Sequence, residues 1–141
     1  MYEKITRIFL RFAIAAGFLS AVADRFGWWS YHIAWGSWDK FEEYVQILIP
    51  WAPDSLVNPF AILATAAEII FAVFLLIGFK VNLFAKLSGL LLLVFALSMW
   101  TSTGIKTVFD ASVLAAAGAA FGLGAMKPGW FEFGNKTIEK N

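Results

Sequence analysis

Few side chains in this sequence can do chemistry, and the one that stands apart is Glu68. It is the single ionisable residue in the apolar run Asn58–Phe79, NPFAILATAAEIIFAVFLLIGF. Counted from Pro59 at about 1.5 Å per residue, its carboxyl falls about 13–14 Å along a helix. That depth is near the midplane of a ~30 Å hydrocarbon core, where an acid is expensive and by default marks a functional site. Ala61, Ala64, Thr65 and Ala72 share its helical face, whereas Leu63, Ile70, Val73 and Ile77 lie opposite. Small residues pack against helices and bulky ones face lipid, so Glu68 is expected to point into a bundle. It is the candidate catalytic residue.

Three readings compete for it: a proton-exchanging or ligand-binding carboxyl, the partner of a buried cation, or a neutral acid bonded to Ser or Thr of a neighbouring helix. Burial raises a carboxyl's pKa and a nearby cation lowers it. The nearest cation by depth is Arg11, about 9 Å above the start of a first helix beginning at Ile5. A second polar cluster is expected at the opposite helix ends: Asp24, Arg25, His32, Ser98, Thr101 and Asp110. With Arg11, Asp24, Arg25, Thr65 and Ser98 as candidate ligand contacts, a polar mouth above Glu68 suits an amphipathic small molecule such as a quinone. The plainer alternative is that polar residues simply belong at helix ends, with Asp110 a cap and His32 an interfacial histidine.

Composition excludes much else. The chain has 141 residues, 60% of them hydrophobic, and no cysteine. Thiolate nucleophiles, disulfide exchange and iron–sulfur clusters therefore cannot come from this chain. With His32 its only histidine, neither two-histidine haem ligation nor a histidine-rich metal site is available. Lys and Arg number 11 against 10 acids, without a basic stripe, so nucleic acid is not an expected partner. A mean hydropathy of +0.72 excludes an ordinary soluble domain and leaves room for about four spanning helices.

The elements that must position these residues follow in order. A first span covers about 5–24. Ala21-Val22-Ala23 before Asp24 imitates a leader cleavage site, although the uncleaved helix is the preferred reading. Arg7 and Arg11 share a face and are expected to snorkel to headgroups. The loop 25–57 carries Trp28, Trp29, Tyr31, Trp35, Trp38, Tyr44 and Trp51, as at a membrane interface. Within it, Ser37 caps an amphipathic helix over 38–49 that lies in the interface as a lid. The second span, 58–79, is capped by Asn58 with Pro59 in its first turn. A third covers 83–101. A fourth, 108–126, starts at a Thr107 cap and carries the small-residue stripe Ala111, Ala115, Gly118 and Gly122, with the two glycines as helix-packing candidates. The tail is 127–141. The expected fold is thus all-α, a single membrane domain: a four-transmembrane-helix antiparallel bundle with an interfacial helix in its first external loop.

Eight basic residues fall on the side of the termini and three on the side of the aromatic loop. The positive-inside rule then places both termini in the cytoplasm. The natural setting is a bacterial cytoplasmic (inner) membrane.

Across nearly all its spans the chain resembles the DoxX-like family of small membrane proteins. The matching stretches are Leu10-Arg11 through Gly17-Phe18-Leu19, Ala67-Glu68 through Leu75, Ile77 and Gly78, and Leu90 to Met99. Gly104-Ile105-Lys106 and Phe109-Asp110-Ala111-Ser112-Val113 extend the likeness. The family's second helix has an acid, a small residue four later and a closing glycine; Glu68, Ala72 and Gly78 fill those places, with Ala72 where Gly is commoner. The resemblance implies a four-helix bundle and redox association, since related proteins include a subunit of a thiosulfate:quinone oxidoreductase. The function expected is a membrane subunit supporting a quinone-linked or other redox process, with no cofactor within the chain and a quinone as the candidate one. Alternatives are a non-catalytic scaffold that recruits redox partners or a second copy of itself, and a small-solute carrier.

Overall fold

The computed structural model describes residues 1–135 of the chain. Among them, six helices follow one another: α1 (Tyr2–Arg25), α2 (Trp38–Leu48), α3 (Asp54–Ile77), α4 (Val81–Thr103), α5 (Ile105–Asp110) and α6 (Val113–Ala125). Three of them, α1, α3 and α4, are long and apolar enough to cross a membrane. At 23–24 residues each rises about 35 Å. Their exposed faces carry bulky apolar side chains, among them Phe9, Leu63, Ile70, Leu90 and Val94, which suits contact with a lipid bilayer.

The helix boundaries have local causes. Ser37 Oγ accepts the Lys40 N–H to start α2, as expected, and that helix ends at Leu48 before Pro50. By contrast α3 begins at Asp54, one turn earlier than Asn58. Pro59 is therefore the sixth helical residue, and the Asn58 side chain donates to Glu42 instead of capping. Gly78, at φ 82°, closes α3 by sending its N–H to Phe74 O. The expected fourth span from 108 to 126 is two helices. Gly104 (φ 93°) ends α4 and α5 starts immediately at Ile105. Thr107 lies inside α5 with its hydroxyl donating to Thr103 O, and Asp110 pairs with Lys106, so neither caps. The chain breaks again at Ser112, whose φ is 55°, and α6 has only 13 residues.

α1 packs along α3, α4 packs along α6, and α2 lies across α3 and the adjoining end of α4. The two pairs close on each other at the end where the chain tail returns. There Ile14, Ala15 and Phe18 of α1 meet Ala72 and Leu75 of α3, Val81 and Ala85 of α4, and Ala120 and Leu123 of α6. Small residues set the approach: a Cβ on Gly124 would press within 2.7 Å of Lys86, and one on Gly89 within 2.9 Å of the Phe121 ring. Gly118 and Gly122 do not take part. Both are exposed, and a Cβ on either would meet nothing within 4 Å. The buried face of α6 is Ala117, Ala120, Leu123 and Gly124, which leaves the stripe from Ala115 to Gly122 on the outside.

At the tail end, Arg7 and Arg11 are buried (1% and 2% exposed), so they do not snorkel. Residues 127–135 fold back beneath the helices through a bridge between Phe79 and Phe133, with Lys80 N–H donating to Phe133 O at 2.8 Å. This brings Glu132 to Arg7, whose guanidinium also donates to Asn82 Oδ1 and to the carbonyls of Leu123 and Met126. Arg11 donates to the carbonyls of Leu75, Leu76 and Trp130. The two arginines thus satisfy the orphan carbonyls at the ends of α6 and α3, where the helix dipole also favours a cation. Of the basic residues counted for topology, Lys136 and Lys140 lie outside the described residues, as does the tail beyond 135.

Candidate functional site

The cation beside Glu68 is Arg25, the last residue of α1. Its Nη1 donates to Glu68 Oε2 and, at 2.7 Å, to Thr65 Oγ1. Thr65 and Glu68, three apart on α3, present both acceptors on one face. Both side chains of the ion pair are 3% exposed. Arg11, the expected partner, is instead committed to the last turn of α3. The antiparallel register of α1 on α3 decides this: Ile14 and Phe18 pack at Ala72 and Leu75, so Arg11 falls at the last turn of α3. The α1 terminus therefore comes level with the middle of α3 rather than with its start.

Above the pair the connecting loop forms an aromatic cover. The Arg25 guanidinium lies 3.8 Å from the centroid of the Phe41 ring and 5.3 Å from that of Trp35, at cation–π distance. Phe41 and Val45 of α2 are buried against Val57 and Ala61 of α3, which fixes the cover in place. Asp24 holds the other side of it. Its carboxylate accepts the backbone N–H groups of Ala34, Trp35 and Gly36 at 2.7–3.1 Å. Asp24, expected as a ligand contact, thus organises the loop that places Trp35 over Arg25.

An apolar cavity of about 820 Å³ adjoins the pair, within the size range of small-molecule sites. It occupies the space that α1 and α3 leave between themselves and α4 and α6 on the loop side, and α2 roofs it with Tyr44, Val45 and Leu48. Glu68, Arg25 and Ser98 line it, as does Tyr44, a residue that the sequence reading placed only among interfacial aromatics. Burial pushes the Tyr44 hydroxyl above its usual pKa, so it remains a hydrogen-bond donor. Thr65 lies behind the pair and Arg11 is remote; neither lines the cavity, and nor does Asp24.

The polar cluster expected at the helix ends does not converge. His32 is exposed in the loop with its ring edge-on to Tyr31, Thr101 bonds back to its own helix, and Asp110 faces solvent with Lys106. Only Arg25 and Ser98 of that set reach the cavity. Among the described residues no group of three His, Cys, Asp or Glu side chains could hold a metal ion.

What the site offers is directional. Arg25 uses only Nη1, and its Nε is buried without an acceptor. A buried donor left unpaired costs about 1–3 kcal/mol. A buried ion pair is also weak evidence for stability, because desolvation offsets the attraction. The pair thus places a carboxylate and a guanidinium with an unused donor at the wall of an apolar space. The chain matches no family model, no curated protein and no solved structure.

Proposed function

We propose that this chain is an integral membrane protein of the DoxX-like type that binds a quinone beside Arg25 and Glu68 and supports a membrane redox process. One observation carries the reading: a charged pair, 3% exposed on both sides, forms the polar wall of an apolar cavity of about 820 Å³. A benzoquinone head needs hydrogen-bond donors for its carbonyl oxygens, and its isoprenoid tail needs apolar length. The Arg25 guanidinium and the Tyr44 and Ser98 hydroxyls are the donors at hand, and Glu68 is the group that takes or returns a proton. Quinone chemistry supplies the electron transfer. The donor of those electrons is a partner protein, because the chain has no cysteine and one histidine.

In this reading the membrane is crossed four times, by α1, α3, α4 and the α5–α6 pair, with α2 in the interface. The aromatic loop faces outward, and the basic tail end faces the cytoplasm of a bacterial inner membrane. Lipid extraction of protein purified from native membranes tests the site. Wild type should carry quinone near one per chain, and Glu68→Gln at normal abundance should carry at most a tenth of that. Equal quinone content and equal quinone-linked activity in the two would sink the proposal.

A second reading has its own observation. Gly118 and Gly122 face outward with open space above them, so a helix of another chain could pack closely there. As a scaffold, the protein would lose a partner or its own second copy on Gly118→Leu or Gly122→Leu, and retain it on Glu68→Gln.

A further inference from the structure

Exposed residues line the cavity on several elements, bulky ones at Trp51, at Leu63 of α3 and at Val94 of α4, but small ones on α1. On α1 its lining residues Leu10, Ala13, Ile14, Gly17, Ala21 and Arg25 follow a single helical face for about 22 Å. Ile14 and Arg25 are buried, but Ala13 and Gly17 are exposed while still lining the cavity. A Cβ built on Gly17 would meet no heavy atom within 4 Å. Gly17 lies midway along a helix long enough to cross a membrane, so an opening at that level faces lipid rather than water.

The polar end of the same space selects by charge. Arg25 and Glu68 neutralise each other, so an anionic head would leave a net negative charge in a medium of low dielectric, and a cationic head would compete with Arg25 for Glu68. A neutral acceptor disturbs neither and satisfies donors that Arg25 leaves unused.

We propose that the cavity is loaded sideways from the bilayer, through the gap at Ala13 and Gly17, by a neutral amphipathic molecule whose hydrogen-bond-accepting head is held by the Arg25 guanidinium. This rests on the binding reading above and adds the route and the reason that the charged pair admits only a neutral head. The carbonyl oxygen accepts from Arg25 while the apolar tail follows the α1 face from Ala21 toward Leu10.

The test uses the full chain in nanodiscs and three photoreactive probes with the same diazirine-bearing decyl tail. Their heads are benzoquinone, carboxylate and trimethylammonium. The benzoquinone probe should label α1 between Leu10 and Ala21 saturably, with the other two at least tenfold weaker. Gly17→Phe, whose Cβ enters open space, should slow labelling at least tenfold at an unchanged melting temperature, and Gly17→Ala should not. Arg25→Lys keeps a cation for Glu68 but removes the guanidinium; it should raise half-saturation at least tenfold in protein that remains folded by its melting transition. Preference for the carboxylate or trimethylammonium probe overturns the neutral head, a wild-type rate in Gly17→Phe overturns the lateral route, and wild-type saturation in Arg25→Lys overturns the head contact. If no probe labels wild type saturably, the binding reading itself falls, which distinguishes that failure from the other three.

Discussion

Arg7 and Glu132, 125 residues apart in the chain, form an ion pair whose side chains are each 1% exposed. Arg11 reaches the same carboxylate at 3.8 Å, so one acid serves two buried cations. The returning tail is thereby tied to the first helix, and through Asn82 to the start of α4. The tail end is the closed floor of the molecule, opposite the end that carries the cavity.

Removing Glu132 should therefore damage the fold out of proportion to its place near the chain end. Glu132→Ala leaves two guanidinium groups buried with less compensation, for which about 3–5 kcal/mol is typical. Lys127→Ala, at an exposed position of the same returning segment, should stay within about 0.5 kcal/mol. Thermal melting in detergent compares the two. Equal melting temperatures would show that the tail is not tied down by this pair.

At the Arg25–Glu68 pair, stability and binding should separate. Glu68→Leu alone strands a buried guanidinium and should lower stability by about 3–5 kcal/mol, whereas Arg25→Met with Glu68→Leu should recover most of that loss. The double variant should still fail to retain quinone. Recovery of stability together with full quinone retention would show that the pair is structural only.

How much of this was legible before the structure depends on how far apart the interacting residues lie. The buried face of α3 was readable because bulk and smallness alternate with helical period: Ala61, Thr65, Glu68 and Ala72 are buried, and Leu63, Ile70, Val73 and Ile77 exposed. The Ser37 cap was readable because a capping side chain acts on its own chain three residues on. The partner of Glu68 was not, because the register of α1 on α3, which sets Arg25 rather than Arg11 beside the acid, joins residues 43 positions apart. The burial of Arg7 depends on a tail residue 125 positions away, for which no local pattern exists. Gly118 and Gly122 carry the same spacing whether their stripe faces inward or outward, and α6 turns a different set inward.

Asp24 should act on the cover rather than on any ligand directly. Asp24→Ala removes the shared acceptor of three backbone N–H groups, at Ala34, Trp35 and Gly36. Hydrogen exchange at those amides should accelerate at least tenfold, and proteolysis between Phe26 and Ser37 should increase. Exchange in the tail-end core, at Ala72 and Leu75, should remain as in wild type. Unchanged protection at 34–36 would mean that the aromatic packing holds the loop without Asp24.

Two glycines, one closing α3 and one within α6, should respond in opposite directions to the same change. Gly78 sits at φ 82°, and a Cβ there would collide with the Phe131 carbonyl and press on Arg11 Nη2 at 2.8 Å. Gly78→Ala therefore adds backbone strain to a clash that would displace either the returning tail or the arginine that caps α3, and should destabilise by more than about 1 kcal/mol. Gly118 has helical geometry and open space around it, so Gly118→Ala should be neutral or stabilise by up to about 1 kcal/mol through helix propensity alone. Melting temperatures of the two variants in the same detergent check both signs. A drop for Gly118→Ala as large as that for Gly78→Ala would mean that the outward face of α6 is covered in the purified protein, the result that the scaffold reading requires and the isolated chain does not.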